Sequence, residues 1–180
     1  MPEGSDKDMQ ISSIYDTAPA QWTARLDGLL HFIRHHGDRR ITLQGYRALA
    51  ALTPEQLALP GVSLLIATVR GQHGRQLAGL SFVSGFGKEA CLVTVHPLYR
   101  GKHTGSSLLA AQLQRLGRLE CSVASDNTPS LKMCFRAGLA AVALTTGPTG
   151  KPTLELRSPE HTGSTTISTQ EGELLCRNPS

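Results

Sequence analysis

The sequence predicts a single domain of the α/β class, in its mixed α+β form, and three observations lead there. The chain has 180 residues, enough for one core of ordinary size and too few for two. Its first half places helical periodicity ahead of short apolar runs bounded by Gly and Pro. Its second half alternates strand-like and helix-like segments, the pattern of a βαβ-like unit. Hydrophobic residues make up 39% of the chain and aromatics only 4%, so the core is built from Leu, Ala, Val and Ile. Charged residues, at 18%, are too few for a coiled coil or a wholly disordered chain.

Residues 1–8 read as a loose polar start, and 9–15 (MQISSIY) as a short first strand. From Pro19 the pattern turns helical: Trp22, Leu26, Leu29, Leu30 and Ile33 share one face, and Gly37 stands just past the end. A second helical stretch covers about 42–52. Thr53-Pro54-Glu55-Gln56 then has the form of a helix start, with a cap, a proline and a capping Gln. Residues 63–70 and 76–84 read as a hairpin around Gly71-Gln72-His73-Gly74, and 89–95 as a third strand ended by His96-Pro97. Residues 105–116 form a helix with Leu108, Leu109, Leu113 and Leu116 inward. A strand follows at 119–124, then a short helix from Thr128-Pro129 to Ala137, closed by Gly138. Residues 139–144 and 153–157 are two more strands around a Gly/Pro-rich loop. The domain thus spans 9–157, and the polar segment 158–180 is expected to be a disordered tail.

The polar start is no secretory signal, and no apolar run approaches the roughly 20 residues of a membrane span. Cys91, Cys121, Cys134 and Cys176 show no zinc-ligand spacing, so reduced thiols in a cytoplasmic protein are expected. The net charge of +4 suits an anionic ligand and is too weak to argue for DNA.

Chemistry concentrates between Val93 and Leu109. A buried strand ends at Pro97, a basic loop follows, and a helix begins at Gly105. The first amides of a helix have no intrahelical acceptor and sit at the positive end of its dipole. A loop that adds Arg100 and Lys102 to such amides is a pyrophosphate cradle. From Leu98 to Arg136 there are six Lys/Arg against two acids, a net +4 equal to that of the whole chain.

This stretch resembles the acetyl-CoA-binding motif of the GNAT superfamily of N-acetyltransferases, in which a strand ending V-x-P precedes R-G-x-G-x-G/A and an amphipathic helix. Val95, Pro97, Arg100, Gly101 and Gly105 match it. A second family motif, N-x-x-A/S followed by G-F, is met by Asn127, Ser130 and Gly138, with Leu139 in place of the usual Phe. The resemblance covers about residues 63–157. It implies a central, mostly antiparallel, splayed sheet of six to seven strands flanked by about four helices, with acetyl-CoA as cosubstrate. By the same resemblance, the backbone of Thr94 and Val95 holds the pantetheine arm. The pyrophosphate falls to Arg100, Gly101, Lys102, His103, Thr104, Gly105 and Ser106. Asn127 and Ser130 face the distal pantetheine or the nucleotide, and an N–H near Val95 polarises the thioester carbonyl. A primary amine of a small molecule, a peptide N-terminus or a lysine then attacks directly.

Two positions depart from the pattern. His103 replaces the middle glycine, and Cys134 stands where the family often has the Tyr that protonates the leaving thiolate. A thiol of pKa about 8.5 matches the acidity of that leaving group. Cys134 is therefore a candidate acid, and its other reading is a core residue beside Leu131 and Phe135. Glu89 and His96 are the candidate bases. His31 and His35 lie off the apolar stripe and read as a solvated face. Two further readings share the fold: a non-catalytic acyl-CoA-binding module, and an RNA-directed acetyltransferase. Low aromatic content argues against nucleic acid, and a homodimer is compatible with the sequence.

Overall fold

The computed structural model describes residues 9–14, 18–37 and 41–159. The expected loose start, the tail from 160 onward with Cys176, and the segments 15–17 and 38–40 lie outside the described residues. The chain runs β1 (Gln10–Ser13), α1 (Pro19–His36), α2 (Leu43–Ala50), β2 (Ser63–Gly71), β3 (Gly74–Ser84), β4 (Ala90–Val95), α3 (Thr104–Leu116), β5 (Glu120–Ala124), α4 (Thr128–Arg136), β6 (Ala140–Thr146) and β7 (Pro152–Arg157). The seven strands form two antiparallel sheets, in the orders β1-β2-β3-β4 and β5-β7-β6.

Alternation along the strands assigns each face its cover. Leu64, Ile66, Leu80, Phe82, Ala90 and Leu92 pack with Trp22, Leu26, Leu29, Leu30 and Ile33 of α1. Leu65 and Ala67 face the other way and meet Leu108 of α3. A second core joins Leu109 of α3 and Cys134 of α4 to Val123 of β5 and Leu156 of β7. Trp22 also donates its indole N–H to the Leu52 carbonyl (3.2 Å), so it is core, as its stripe requires. Beneath α3, the wholly buried Gln112 donates to Ser81 O (2.9 Å), fixing the helix over β3 with a polar contact.

Three local expectations change. The Thr53–Gln56 box forms, with Thr53 N donating to Gln56 Oε1 (2.9 Å), but it starts only a 3-10 turn at Gln56–Ala58. Pro60 disfavours helical backbone at Leu59, which is extended (ψ 144°). Gly37 ends α1 without left-handed backbone (φ −75°). A side chain there would collide with Ile33 O and Ile41 Cγ1, so the glycine supplies space. The ordered chain also runs past Arg157: Ser158 N donates to Leu119 O (2.8 Å), and Leu119 N donates to Ser158 Oγ (3.0 Å).

The two sheets meet at one end. Glu120, the first residue of β5, pairs with Lys88 just before β4 (3.3 Å) and with Arg157 of β7 (3.2 Å). Gly87, at φ +101°, lies so close to the Glu120 backbone that a Cβ would overlap its carbonyl oxygen. No ladder joins β4 to β5 beyond this contact. The sheets are closed at the start of these strands and unpaired toward Val95 and Ala124. A Gly87→Ala change should therefore cost about 2 kcal/mol or more, from strained backbone plus the clash. Urea unfolding checks this, and a loss under about 0.5 kcal/mol would mean the sheets are not held there.

Candidate functional site

The open edge of β4 follows from hydrogen-bond parity. His96 N donates to Ala78 O of β3 (2.8 Å). Backbone groups alternate sides along an antiparallel strand, so Thr94 and Leu92 also face β3, and Val95, Val93 and Cys91 face the unpaired edge. Thr94 thus cannot offer its backbone to the gap, and Val93 takes its place beside Val95. The Thr94 side chain lies on the α1 face, its hydroxyl buried with no partner among the described residues.

At the end of β4 the chain makes a 3-10 turn over Pro97–Tyr99, whose amides are used: Leu98 N donates to His96 Nδ1 (3.2 Å), Tyr99 N to His96 O (2.9 Å) and Arg100 N to Pro97 O (3.2 Å). The next six amides, Gly101 to Ser106, make no well-formed hydrogen bond to any backbone carbonyl of the described residues. Pairing resumes with Ser107 N to His103 O (2.9 Å). His103 is in left-handed backbone (φ 60°), so the position does require what glycine adopts freely, and this chain meets it with His. No Asp or Glu occurs between Glu89 and Glu120, so no carboxylate of that stretch neutralises the start of α3. Lys102 is exposed over the Tyr99 ring. Gly105 is buried where a side chain would run into Met133 Sδ and approach Val95 Cγ2, so α3 starts flush against α4 and the head of the gap. Met133 and Val93 also border this gap, and no motif singles them out. Strand parity points to the second.

Arg100 has a different place from the one expected of a free phosphate ligand. Its Nε donates to Val95 O (3.1 Å) and its Nη2 to His36 O (2.7 Å). It ties the turn and the end of α1 to the open end of β4. Asn127 and Ser130 come together as the cap of α4, with Ser130 N donating to Asn127 Oδ1 (3.4 Å).

The proton-transfer candidates are rearranged. Cys134 is 2% exposed in the second core, its Sγ 3.8 Å from Cys121 Sγ. The Cys121 thiol and burial together push its pKa far up, so it is a poor acid without access to solvent, and the core reading replaces the catalytic one. Glu89 stands at the closed end of β4, its Oε2 accepting from Ser84 Oγ (2.6 Å). Six residues of strand put it about 20 Å from Val95, beyond reach of chemistry there. His96 accepts from the Leu98 amide at Nδ1. That bond engages the Nδ1 lone pair, which is then not free to take a proton from a substrate. His36, which the apolar stripe did not single out, lies against it with ring centroids 4.5 Å apart. Burial first, then His96, His35, Arg100 and His31, hold His36 below its ordinary pKa. His31 and His35 are exposed, as expected.

Two hollows lie away from the gap. One, of about 400 Å³, is lined by Ile11, Leu65 and Arg115 between β1 and α3. The other, of about 320 Å³, is lined by Ile33, Arg34, Ile41, Leu43 and Tyr46 on the α1–α2 side of the sheet. No helix among the described residues is long and apolar enough to cross a membrane.

No family model and no curated protein matches the chain by sequence. Solved structures match it by fold. AAC(6')-Ib in complex with paromomycin and acetyl-CoA is 15% identical, with 88% of this chain and 99% of that one covered at a TM-score of 0.54. A chimera of spermidine N-acetyltransferase SpeG from Vibrio cholerae and hSSAT is 10% identical, covering 84% and 95% at 0.59. The NatC complex bound to Gag peptide and CoA is 12% identical, covering 84% and 98% at 0.58. The chain has the fold of the GNAT acetyltransferases, and the seven strands in two sheets around an open seam are the splayed sheet that its motifs imply.

If Cys134 is core, Cys134→Ala should lose about 1–2 kcal/mol of stability by cavity formation. Native Cys134 should also resist maleimide at about pH 8 until urea unfolds the chain. Rapid labelling of the folded protein would return the thiol to the surface.

Proposed function

We propose that this chain is an acetyl-CoA-dependent N-acetyltransferase acting on a primary amine. The observation that carries the reading is the run of six unclaimed amides, Gly101 to Ser106, placed directly beyond an unpaired strand edge. The donor set fits the ligand. Amides at a helix start, with Lys102 beside them and no carboxylate in the stretch, suit a diphosphate. The N–H and C=O of Val93 and the N–H of Val95, on the unpaired edge, suit the amides of pantetheine, which would lie as an added strand, while Arg100 holds the Val95 carbonyl. In this reading Gly101 to Ser106 hold the pyrophosphate, Arg100 keeps the turn in place, and Asn127 and Ser130 shape the β5 side through their cap. Fold neighbours solved with CoA or acetyl-CoA beside an aminoglycoside or a peptide support the same chemistry.

The reaction then needs three services from the protein. An N–H of the open β4 edge, at Val93 or Val95, stands where negative charge develops on the thioester oxygen as the amine nitrogen bonds to the carbonyl carbon. The carbon–sulfur bond breaks, and the leaving thiolate takes its proton from water, since Cys134 is sealed in the core. The amine must lose a proton. His36, neutral and beside His96 on the α1 face, is the acceptor we assign. The amine itself enters from that face, where the hollow beside Tyr46 lies. The chain is read as a cytoplasmic enzyme whose acceptor is a small-molecule or peptide amine.

Calorimetry with CoA tests the cradle. Ser106→Glu, which sets a carboxylate among the amides, should weaken binding at least about tenfold. Equal affinity would show that the diphosphate is not held there. Thiol release from acetyl-CoA with polyamine, aminoglycoside and peptide amines tests the activity. Tight CoA binding without turnover on any amine would leave a binding module. His36 carries a pH signature. Its pKa lies below about 6.5, so it is neutral at pH 7 and becomes charged, and unable to accept, only as pH falls through that lowered value. His36→Asn should cut kcat at pH 7 by about tenfold to a hundredfold without changing CoA affinity. It should also abolish the acid limb below about pH 6.5, and an unaltered profile would reduce His36 to a packing residue.

A further inference from the structure

The two faces of the first sheet are covered unequally. Its four strands, about 4.8 Å apart, place β1 and β4 about 14 Å from each other, whereas a helix with its side chains is about 10–12 Å across. One face carries two helices, α1 and α2, over a continuous core. The other carries α3, which lies over β2, β3 and β4. Met9 and Ile11, at the β1 edge, reach the small core under α3 only partly buried. The hollow of about 400 Å³ between β1 and α3 is the result, floored by Ile11, Leu65 and Ala111 and rimmed by Gln114 and Arg115.

Charge marks the rim. Arg115 is exposed and makes no hydrogen bond or ion pair among the described residues. Neither α3 nor β1 nor β2 contains an acidic residue to offset that guanidinium. An occupant that fits the hollow is therefore apolar where it meets the floor and acidic beside it. The chain contains such a segment within reach. Ser158, just past β7, is fastened to Leu119 by two hydrogen bonds. Leu119 is four residues beyond Arg115, at most about 14 Å away. Residues 160–180 hold Glu160, Glu171 and Glu173 against the single Arg177, and Leu174 and Leu175 directly follow the last of these acids. The stretch from Ser158 to Glu171 spans about 40 Å when extended, more than the distance to be crossed. Residues 1–8, also outside the described residues, are acidic too but contain no Leu, Ile, Val or aromatic residue for the floor.

We propose that segment 171–176 of this chain seats in the hollow between β1 and α3, with Leu174 and Leu175 on its floor and the two carboxylates toward Arg115. The segment is the second cover that this face of the sheet lacks. Its tether at Ser158 presents it to the hollow at an effective concentration on the order of millimolar, so a contact too weak to hold a free peptide holds this one. The coenzyme seam stays clear, because the hollow lies beside the second half of α3 and the amide cradle lies at its start. The proposal rests on this face alone and holds whether or not the chain transfers acetyl groups.

Cys176 is a reporter already present in the segment. Maleimide labelling of the full chain, read peptide by peptide in a mass spectrometer, follows it. Arg115→Glu and Leu174→Asp should each keep the native far-UV spectrum and label Cys176 about tenfold faster than the native chain, because a segment docked about nine-tenths of the time is open for the remaining tenth. Gln114→Cys, at the rim, should form an intramolecular disulfide with Cys176 when treated with oxidised glutathione. Gln44→Cys, exposed on α2 across the sheet, should not. Native labelling as fast as that of both variants overturns the proposal. So does slow native labelling when Gln114→Cys cross-links no more than Gln44→Cys, because the segment is then covered elsewhere. Amides of β1 that resist hydrogen exchange while Cys176 labels fast overturn it as well, by showing that another segment, such as residues 1–8, fills the hollow.

Discussion

Everything at the site depends on a hydrogen-bond ladder that is not made. β4 and β5 start side by side, clamped by the Gly87–Glu120 backbone contact and by the two cations on Glu120. Past that point β5 gives its ladder to β7, and β4 gives its own to β3. Unpaired backbone groups in a protein interior are costly, so an edge of this kind persists only if something satisfies it. A ligand with peptide-like amides would satisfy it.

Electrostatics supports the same end of the seam. A helix start ordinarily attracts an acidic side chain or a cap, and α3 has neither: its N-cap is His103, with no side-chain cap bond, and its first turn is Thr104, Gly105 and Ser106. The positive end of the helix is thus met by no cap and no acidic residue of its first turn. Left-handed backbone at His103 costs about 1–2 kcal/mol relative to glycine, a strain of the kind kept where geometry is functional. Arg100 is the brace of this arrangement. By holding Val95 O and His36 O at once it couples the cradle, the open edge and the α1 end into one unit.

Much of this was legible in the sequence, because most of it rests on local rules. Trp22 to Ile33 declared a helix face, Pro97 and Gly105 bounded the turn, and the two motifs set the cradle and the α4 cap at their positions. What was missed depends on tertiary placement. Cys134 reads either as an acid, by its place in the motif, or as a core residue beside Leu131 and Phe135, and the packing of α4 onto β5, which sets its sulfur against Cys121, is what decides between them. Glu89 reads as a base by its strand, and only the length of that strand removes it from the chemistry. Arg100 reads as a phosphate ligand by motif, whereas carbonyls on β4 and α1 occupy its guanidinium. His36 carries no motif at all, and its meaning comes from a ring that is distant in sequence. Thr94 and Val95 differ by parity alone, which a register settles and a motif does not.

The incomplete sheet has a consequence for the life of the protein. A molecule that lodges in the seam completes the β-structure, and the unfolded chain has no equivalent place for it. Mass action then makes its concentration part of the folding equilibrium. Occupancy of the seam would thus lower the population of open chain that a protease can cut, and set how long the polypeptide survives.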